Sequence, residues 1–189
     1  MKTLFVDKQF TYDGTQLHSL FAYLEYQQLG PSIISWQGPC SIPFSHIVDG
    51  EDLLQGAVIA GGDMLHFIIE VFDRDLFSGV GVQRLFAAIV KDYLQEKAAS
   101  VLEGFSLRRS GDDIYLGDKK LSISIATRSP VSVMVHFAMN VKNVGTPVPT
   151  LSLSDLQVDA KKTAQDLMEL FRQEYLEIVE ATQKVRPVP

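Results

Sequence analysis

A single cysteine, Cys40, stands in a chain of 189 residues, so no disulfide can close within it and no thiolate cluster can hold a metal. That scarcity of thiols suits a reducing compartment, and a cytoplasmic setting is the expectation. The four histidines, His18, His46, His66 and His136, lie far apart and show no paired ligand spacing, so no metal site is expected. Basic clusters are missing too. Arg108-Arg109 is only a pair, and the formal net charge of -6 argues against a nucleic-acid binder, which needs grouped cations to neutralise phosphates. No apolar run approaches the ~18 residues of a membrane span, and the first ten residues alternate instead of forming a charged-then-apolar leader. No repeat, low-complexity tract or composition shift divides the chain. A single domain over residues 1–189 is therefore expected, long enough to bury a core unaided.

What the chain does have is alternation. Residues 112–141 contain two strands joined at Ser129-Pro130. In the second, Val131, Val133, Val135, Phe137, Met139 and Val141 share one face, against Ser132, Met134, His136, Ala138 and Asn140 on the other. In the first, Leu121, Ile123 and Ile125 oppose Lys120, Ser122, Ser124 and Ala126. Packing both apolar faces inward puts both polar faces on one side of the sheet, and a three-residue turn sets Ser122 opposite His136. Such a surface fits two readings. It is a solvated sheet face, or it is a pocket wall, because small hydrogen-bonding residues leave room beside a lysine.

Elsewhere the pattern predicts a strand or hairpin over residues 3–12, then a helix capped near Thr15 and ended by Gly30-Pro31. A short strand follows over 32–36, and residues 37–45, with a glycine and two prolines, read as a loop. A helical turn is expected over 46–54, with Asp49, Glu51 and Asp52 capping it. Strands are expected over 57–60 and 64–72 with a break at Gly61-Gly62. Val82, Leu85, Phe86, Ile89, Val90, Tyr93 and Leu94 form the stripe of a core helix. After a proline-bearing loop at 145–149, a last helix runs from about Asp159 to about Thr182. This order predicts an α+β fold, with a mainly antiparallel or mixed sheet and helices packed on one face.

One stretch is similar to a known motif. Arg109-Ser-Gly-Asp-Asp-Ile-Tyr-Leu-Gly-Asp-Lys-Lys-Leu-Ser-Ile-Ser-Ile resembles the central motif of biotin and lipoate protein ligases, Lys-Trp-Pro-Asn-Asp-Leu-Tyr-Leu followed by a turn and a Lys-Leu/Ile-Ala/Ser-Gly strand. His136-Phe-Ala-Met-Asn-Val resembles their Gly-Ile-Gly-Ile-Asn-Val and the His-Gly-Leu-Ala-Leu-Asn-Val of octanoyltransferases. The chain is identified as a member of a small uncharacterised branch of this superfamily. The resemblance implies the ligases' fold and places Arg109 on the motif's first lysine, Asp112 on its asparagine and Asp113 on its aspartate. It places Lys120 on the lysine that in those enzymes contacts the acyl carboxylate and the adenylate phosphate. A small carboxylate-type ligand, ATP as a cofactor and a homodimer are further implications.

The departures from the pattern are specific. Residues 37–45 contain no arginine, where biotin ligases have a Gly-Arg-rich loop, and residues 142–154 contain no cysteine, where octanoyltransferases place their nucleophile. The candidate catalytic residues are Lys120, to hold a carboxylate or acyl oxygen; Cys40, whose thiol a cation would activate; and His136, as a general base. The candidate ligand-binding residues are Arg109, Asp113, Ser122, Ser124 and Asn140. Each also has an ordinary reading: surface lysine, inert buried thiol, structural strand histidine, turn cap. Two functions are carried forward. One is an acyl ligase or acyltransferase acting on a carboxylate-bearing small molecule; the other is a non-catalytic metabolite-binding protein that keeps the pocket without the adenylation loop.

Overall fold

The computed structural model describes residues 1–144 and 149–188, so most of the expected 145–149 loop lies outside the described residues. Its centre is a five-stranded sheet in the order β1-β2-β3-β8-β7, formed by β1 (Lys2–Val6), β2 (Ser32–Ile42), β3 (Ile59–Phe72), β7 (Ser122–Arg128) and β8 (Ser132–Lys142). β1 runs parallel to β2 and every other pairing is antiparallel. A second, three-stranded sheet comprises β4 (Arg108–Ser110), β5 (Asp113–Leu116) and β6 (Lys119–Lys120). The helices are α1 (Phe21–Tyr26), α2 (Gly50–Gln55), α3 (Leu76–Lys97), α4 (Ala99–Leu102) and α5 (Ala160–Gln183). The α+β expectation holds.

The two long helices form for reasons visible locally. Asp75 caps α3 by accepting from the Ser78 N–H, and Asp159 caps α5 by accepting from Lys162. Each helix turns one apolar stripe onto the same face of the sheet. There Phe86 of α3 meets Phe67 of β3, Phe137 of β8 and Phe171 of α5, all edge-on with ring centroids 5.1–5.3 Å apart. Leu65, Ile69, Val133, Val135 and Met139 complete that layer.

Three expectations need correction. Residues 37–45 are not a loop, because β2 continues to Ile42 through a register shift between Gly38 and Cys40. The bulge accommodates Pro39, whose carbonyl accepts from Tyr12 N. Gly61-Gly62 does not break β3. A side chain at Gly61 would lie 2.5 Å from Met64 Sδ, so the glycine permits a close approach within the strand. The first helix covers only residues 21–26, since Leu20 adopts a left-handed conformation with φ 65° and gives its N–H to the Glu70 carboxylate at 2.7 Å.

The opposite face of the sheet carries Ile34, Trp36, His66, Ile68, Glu70, Met134, His136, Ala138 and Asn140, as the pairing of Trp36 with His66 and of Ile68 with His136 requires. It is not open to solvent. The N-terminal segment crosses it, with Phe10 stacked on Trp36 at 4.5 Å and Tyr12 stacked on His136 at 3.6 Å.

Candidate functional site

Beside Tyr12 and His136 lies a cavity of about 510 Å³, within the range of small-molecule sites. Its walls include the polar-bearing face of β8, edge strand β7, the turn between β4 and β5 with β6, and the segment around α2, joined by Tyr12, Ile42, Met64 and Thr150. Ile42, Ile47, Val58, Ile59, Ile123 and Ile125 supply apolar surface.

Lys120 reaches this cavity because β6 pairs back onto β5, with Lys120 opposite Tyr115. Its ammonium forms an ion pair with Asp113 at 2.8 Å, and Asp113 also accepts from the Tyr115 hydroxyl at 3.1 Å. Asp113 therefore orients Lys120. Asp112 pairs with Arg84 at 3.0 Å and accepts from Gln83 at 2.9 Å. Burial raises the Asp112 carboxyl above the usual range, and the charge of Asp113 adds to the effect. Burial likewise raises Asp52 on α2, with Asp49 adding and Lys120 opposing. One ammonium thus lies among several carboxylates. Asp49 caps α2 through the N–H groups of Glu51 and Asp52, as its position in the acidic run predicts.

Tyr12 and His136 border the cavity, and further rings lie behind them. His136 Nε2 lies 3.1 Å from His66 Nδ1, and His66 Nε2 lies 3.1 Å from the Gly38 carbonyl oxygen. Trp36 stacks on His66 at 5.1 Å. Burial pulls His66 down to about 4, and burial with the neighbouring His66 holds His136 well below the ordinary histidine range. Both rings are neutral near pH 7.

Lys120, Asp113, Ser122, Ser124, His136 and Asn140 all border the cavity, whereas Arg109 and Cys40 do not. The parity expected for β7 is inverted. Ser122 pairs with Met139, and it is Ile125 that lies opposite His136. Two features cause this. The connection spans four residues, with Arg128 paired to Val133, and at Leu121 the chain passes from the three-stranded sheet to the five-stranded one, so counting by twos does not carry across. The two hydroxyls have protein partners. Ser122 Oγ accepts from Ile114 N at 2.9 Å; Ser124 Oγ donates to the His136 carbonyl at 2.7 Å and accepts from Gln83 at 3.1 Å. Asn140 donates to the carbonyls of Lys120, Leu121 and Leu151, which ties β8 to the segments beside it.

Arg109 is exposed and donates to the Gly111 carbonyl. Cys40 is buried among Tyr12, Trp36 and Met64, and burial pushes its thiol up to about 12, the reverse of activation. Tyr12 borders the cavity and His66 backs it through His136, neither having been named as a candidate, and Asp52 and Asp112, read as a cap and a motif position, line it too. For His66 a signal existed, since alternation through residues 64–72 puts His66 and Glu70 on one strand face. Among the described residues, no group of three or more His, Cys, Asp or Glu is arranged to hold a metal ion. None of the described helices is long and apolar enough to cross a membrane.

Comparison with known proteins places this architecture. A family model described as a domain of unknown function, DUF366, matches residues 1–186. An uncharacterised protein of Methanocaldococcus jannaschii is 28% identical over 195 residues, covering 100% of this chain and 86% of the relative. A solved protein of unknown function from Pyrococcus horikoshi superposes with a TM-score of 0.92 at 34% identity, covering 100% and 99% of the two chains. The biotin protein ligase of Aquifex aeolicus superposes with a TM-score of 0.60 at 14% identity, over 95% of this chain and 71% of the ligase. At that identity the likeness shows the fold: the chain has a biotin/lipoate ligase-like architecture.

Proposed function

The chain belongs to the DUF366 family, and from this premise we propose that its cavity binds a small carboxylate- or acyl-bearing molecule, with Lys120 as the polar anchor, in a site of the acyl ligase or acyltransferase type. One observation carries the reading. The lysine that sits at the ligase motif position also borders a cavity of ligand size, whose wall combines apolar surface from Ile42, Ile47, Val58, Ile59, Ile123 and Ile125 with polar and acidic side chains. A ligand oxygen takes an N–H from Lys120 by sharing the ammonium with Asp113, which holds it at 2.8 Å. Asp52 and Asp112, both with raised carboxyls, repel an anion while ionised and stop doing so once protonated. Protonating either carboxyl therefore relieves that repulsion.

A second reading, binding without adenylation, is favoured by the distribution of charge. An adenylate phosphate needs fixed cations or N–H donors. Arg109 lies away from the cavity, residues 37–45 carry no arginine, and Asp49, Glu51, Asp52 and Asp112 line the wall. ATP belongs to the ligase reading alone. ATP–pyrophosphate exchange with a panel of short and medium-chain carboxylic acids separates the two, since a ligase exchanges and a binder does not. Thermal unfolding with the same panel tests the pocket itself. A ligand at 100 times its Kd adds about 2.7 kcal/mol, and Lys120→Met removes that gain. A panel with no stabilising member, or a gain unchanged in Lys120→Met, rejects the Lys120 anchor.

A further inference from the structure

We infer that His136 presents a fixed hydrogen-bond acceptor, its Nδ1, to the cavity, and that the occupant answers it with a neutral N–H or O–H donor. The argument begins at Gly38. A backbone carbonyl only accepts, so His66 Nε2, 3.1 Å from the Gly38 oxygen, carries a hydrogen. A neutral imidazole has a single ring N–H, which leaves His66 Nδ1 bare. His136 Nε2 sits 3.1 Å from that bare nitrogen and must donate to it. The one hydrogen of His136 is thereby committed, and its Nδ1 holds a lone pair. The reverse polarity would set a nitrogen lone pair against the lone pairs of the Gly38 oxygen.

Neutrality of both rings is structural. His66 is fully buried and His136 is 2% exposed, so a charge on either would be desolvated, and a charge on one would repel a charge on the other. Tyr12 covers one face of the His136 ring at an interplanar angle of 9°. Among the described residues no protein group hydrogen-bonds Nδ1, yet His136 borders the cavity. An occupant that displaces cavity water from His136 must supply a donor in its place, because an acceptor left without one is costly. The role differs from the general base expected of His136. A ring held neutral well below ordinary pH is a weak base and a dependable acceptor, so His136 selects and positions.

This inference rests on the small-molecule reading of the cavity and adds a second point of recognition. The occupant carries a carboxyl or acyl oxygen for Lys120, an apolar body, and a neutral donor such as a primary amide or hydroxyl for His136. Two measurements test it. In protein labelled with ¹⁵N-histidine, the ligand-free spectrum should show protonated Nε2 and bare Nδ1 on both rings. A protonated Nδ1 on His136 overturns the inference without any variant. The binding probes are the monoamides of succinic, glutaric and adipic acid, each paired with the keto acid in which methyl replaces the amide NH₂. At least one monoamide should bind about tenfold more tightly than its keto acid, equal to about 1.4 kcal/mol, and should shift the His136 Nδ1 resonance. Equal binding of a pair, with loss in Lys120→Met, overturns the acceptor role and leaves the carboxylate anchor standing. An amide preference that persists in Lys120→Met overturns the anchor and supports the acceptor. Binding of no probe overturns both.

Discussion

The two faces of the central sheet are built from the same strands and solve different problems. On the helix face, β3 and β8 present Phe67, Val135 and Phe137 to α3 and α5, with Phe86 as the shared neighbour. On the cavity face, the alternate residues of those strands are His66, Glu70, His136 and Asn140, each buried and each matched to a defined partner. Glu70 accepts from Leu20 N at 2.7 Å and from Ser132 Oγ at 2.6 Å, so one carboxylate ties the N-terminal segment to the sheet. Apolar contacts are non-directional and supply most of the stability. Polar ones fail if misplaced by an ångström, so they fix geometry. A period of two lets one strand do both.

The sharpest way to break this contrast is Phe86→Ala. Truncating a fully buried ring at the meeting point of two strands and two helices should cost about 3–5 kcal/mol, read as a lowered urea midpoint with an unchanged slope. Ile123→Ala, at a half-buried cavity position, should cost less than half as much. Equal losses would mean that the cavity face is packed as tightly as the core.

The second test uses pH, to which the histidine pair on the cavity face responds. His66 has an ordinary value of 6.5 and a folded value of about 4, so the unfolded chain binds the proton first as pH falls. Its stabilisation is complete above 6.5 and is lost between 6.5 and about 4, amounting to roughly 3 kcal/mol. Urea unfolding across that window should show the slope, and His66→Gln should reduce it, leaving the part that His136 contributes. A slope unchanged by the substitution would assign the acid sensitivity to other groups.

Next in size is Asn140→Leu. It keeps the volume but leaves the carbonyls of Lys120, Leu121 and Leu151 without their side-chain donor, and about 2 kcal/mol is expected by denaturant titration. The smallest effect on stability is that of Lys120→Met. Its pair with Asp113 is partly exposed, at 30% and 22%, so the change should stay within about 1 kcal/mol. Ligand-induced stabilisation should nevertheless vanish. That split, a neutral fold with a lost response, separates a binding lysine from a structural one.

How much of this could be read from the sequence differs between the same two faces. The stripes of α3 and α5 and the alternation of β8 fix the helix face by periodicity alone. Motif position singles out Lys120 and Asp113 as residues, but not the ion pair between them. The cavity face depends on register, which periodicity does not supply. A four-residue connection at 129–132 was enough to send Ser122 and Ser124 to the other side. Residues 37–45 looked like a loop because glycine and proline usually punctuate strands, yet here they form a bulge that keeps pairing. Tyr12 and His66 are single residues from distant elements, and no local pattern brings them to His136.

The bulge at Gly38 has one more consequence. A methyl group there would lie 2.1 Å from the Phe10 carbonyl oxygen, which also accepts from the Trp36 indole at 3.1 Å. Gly38's own carbonyl oxygen orients the hydrogen on His66. Steric freedom for a passing main chain and the direction of a proton in the imidazole pair thus share a single address. Any larger residue at that address would push the crossing segment aside, loosen Tyr12 from its stacking partner and leave the lone pair on His136 free to change sides.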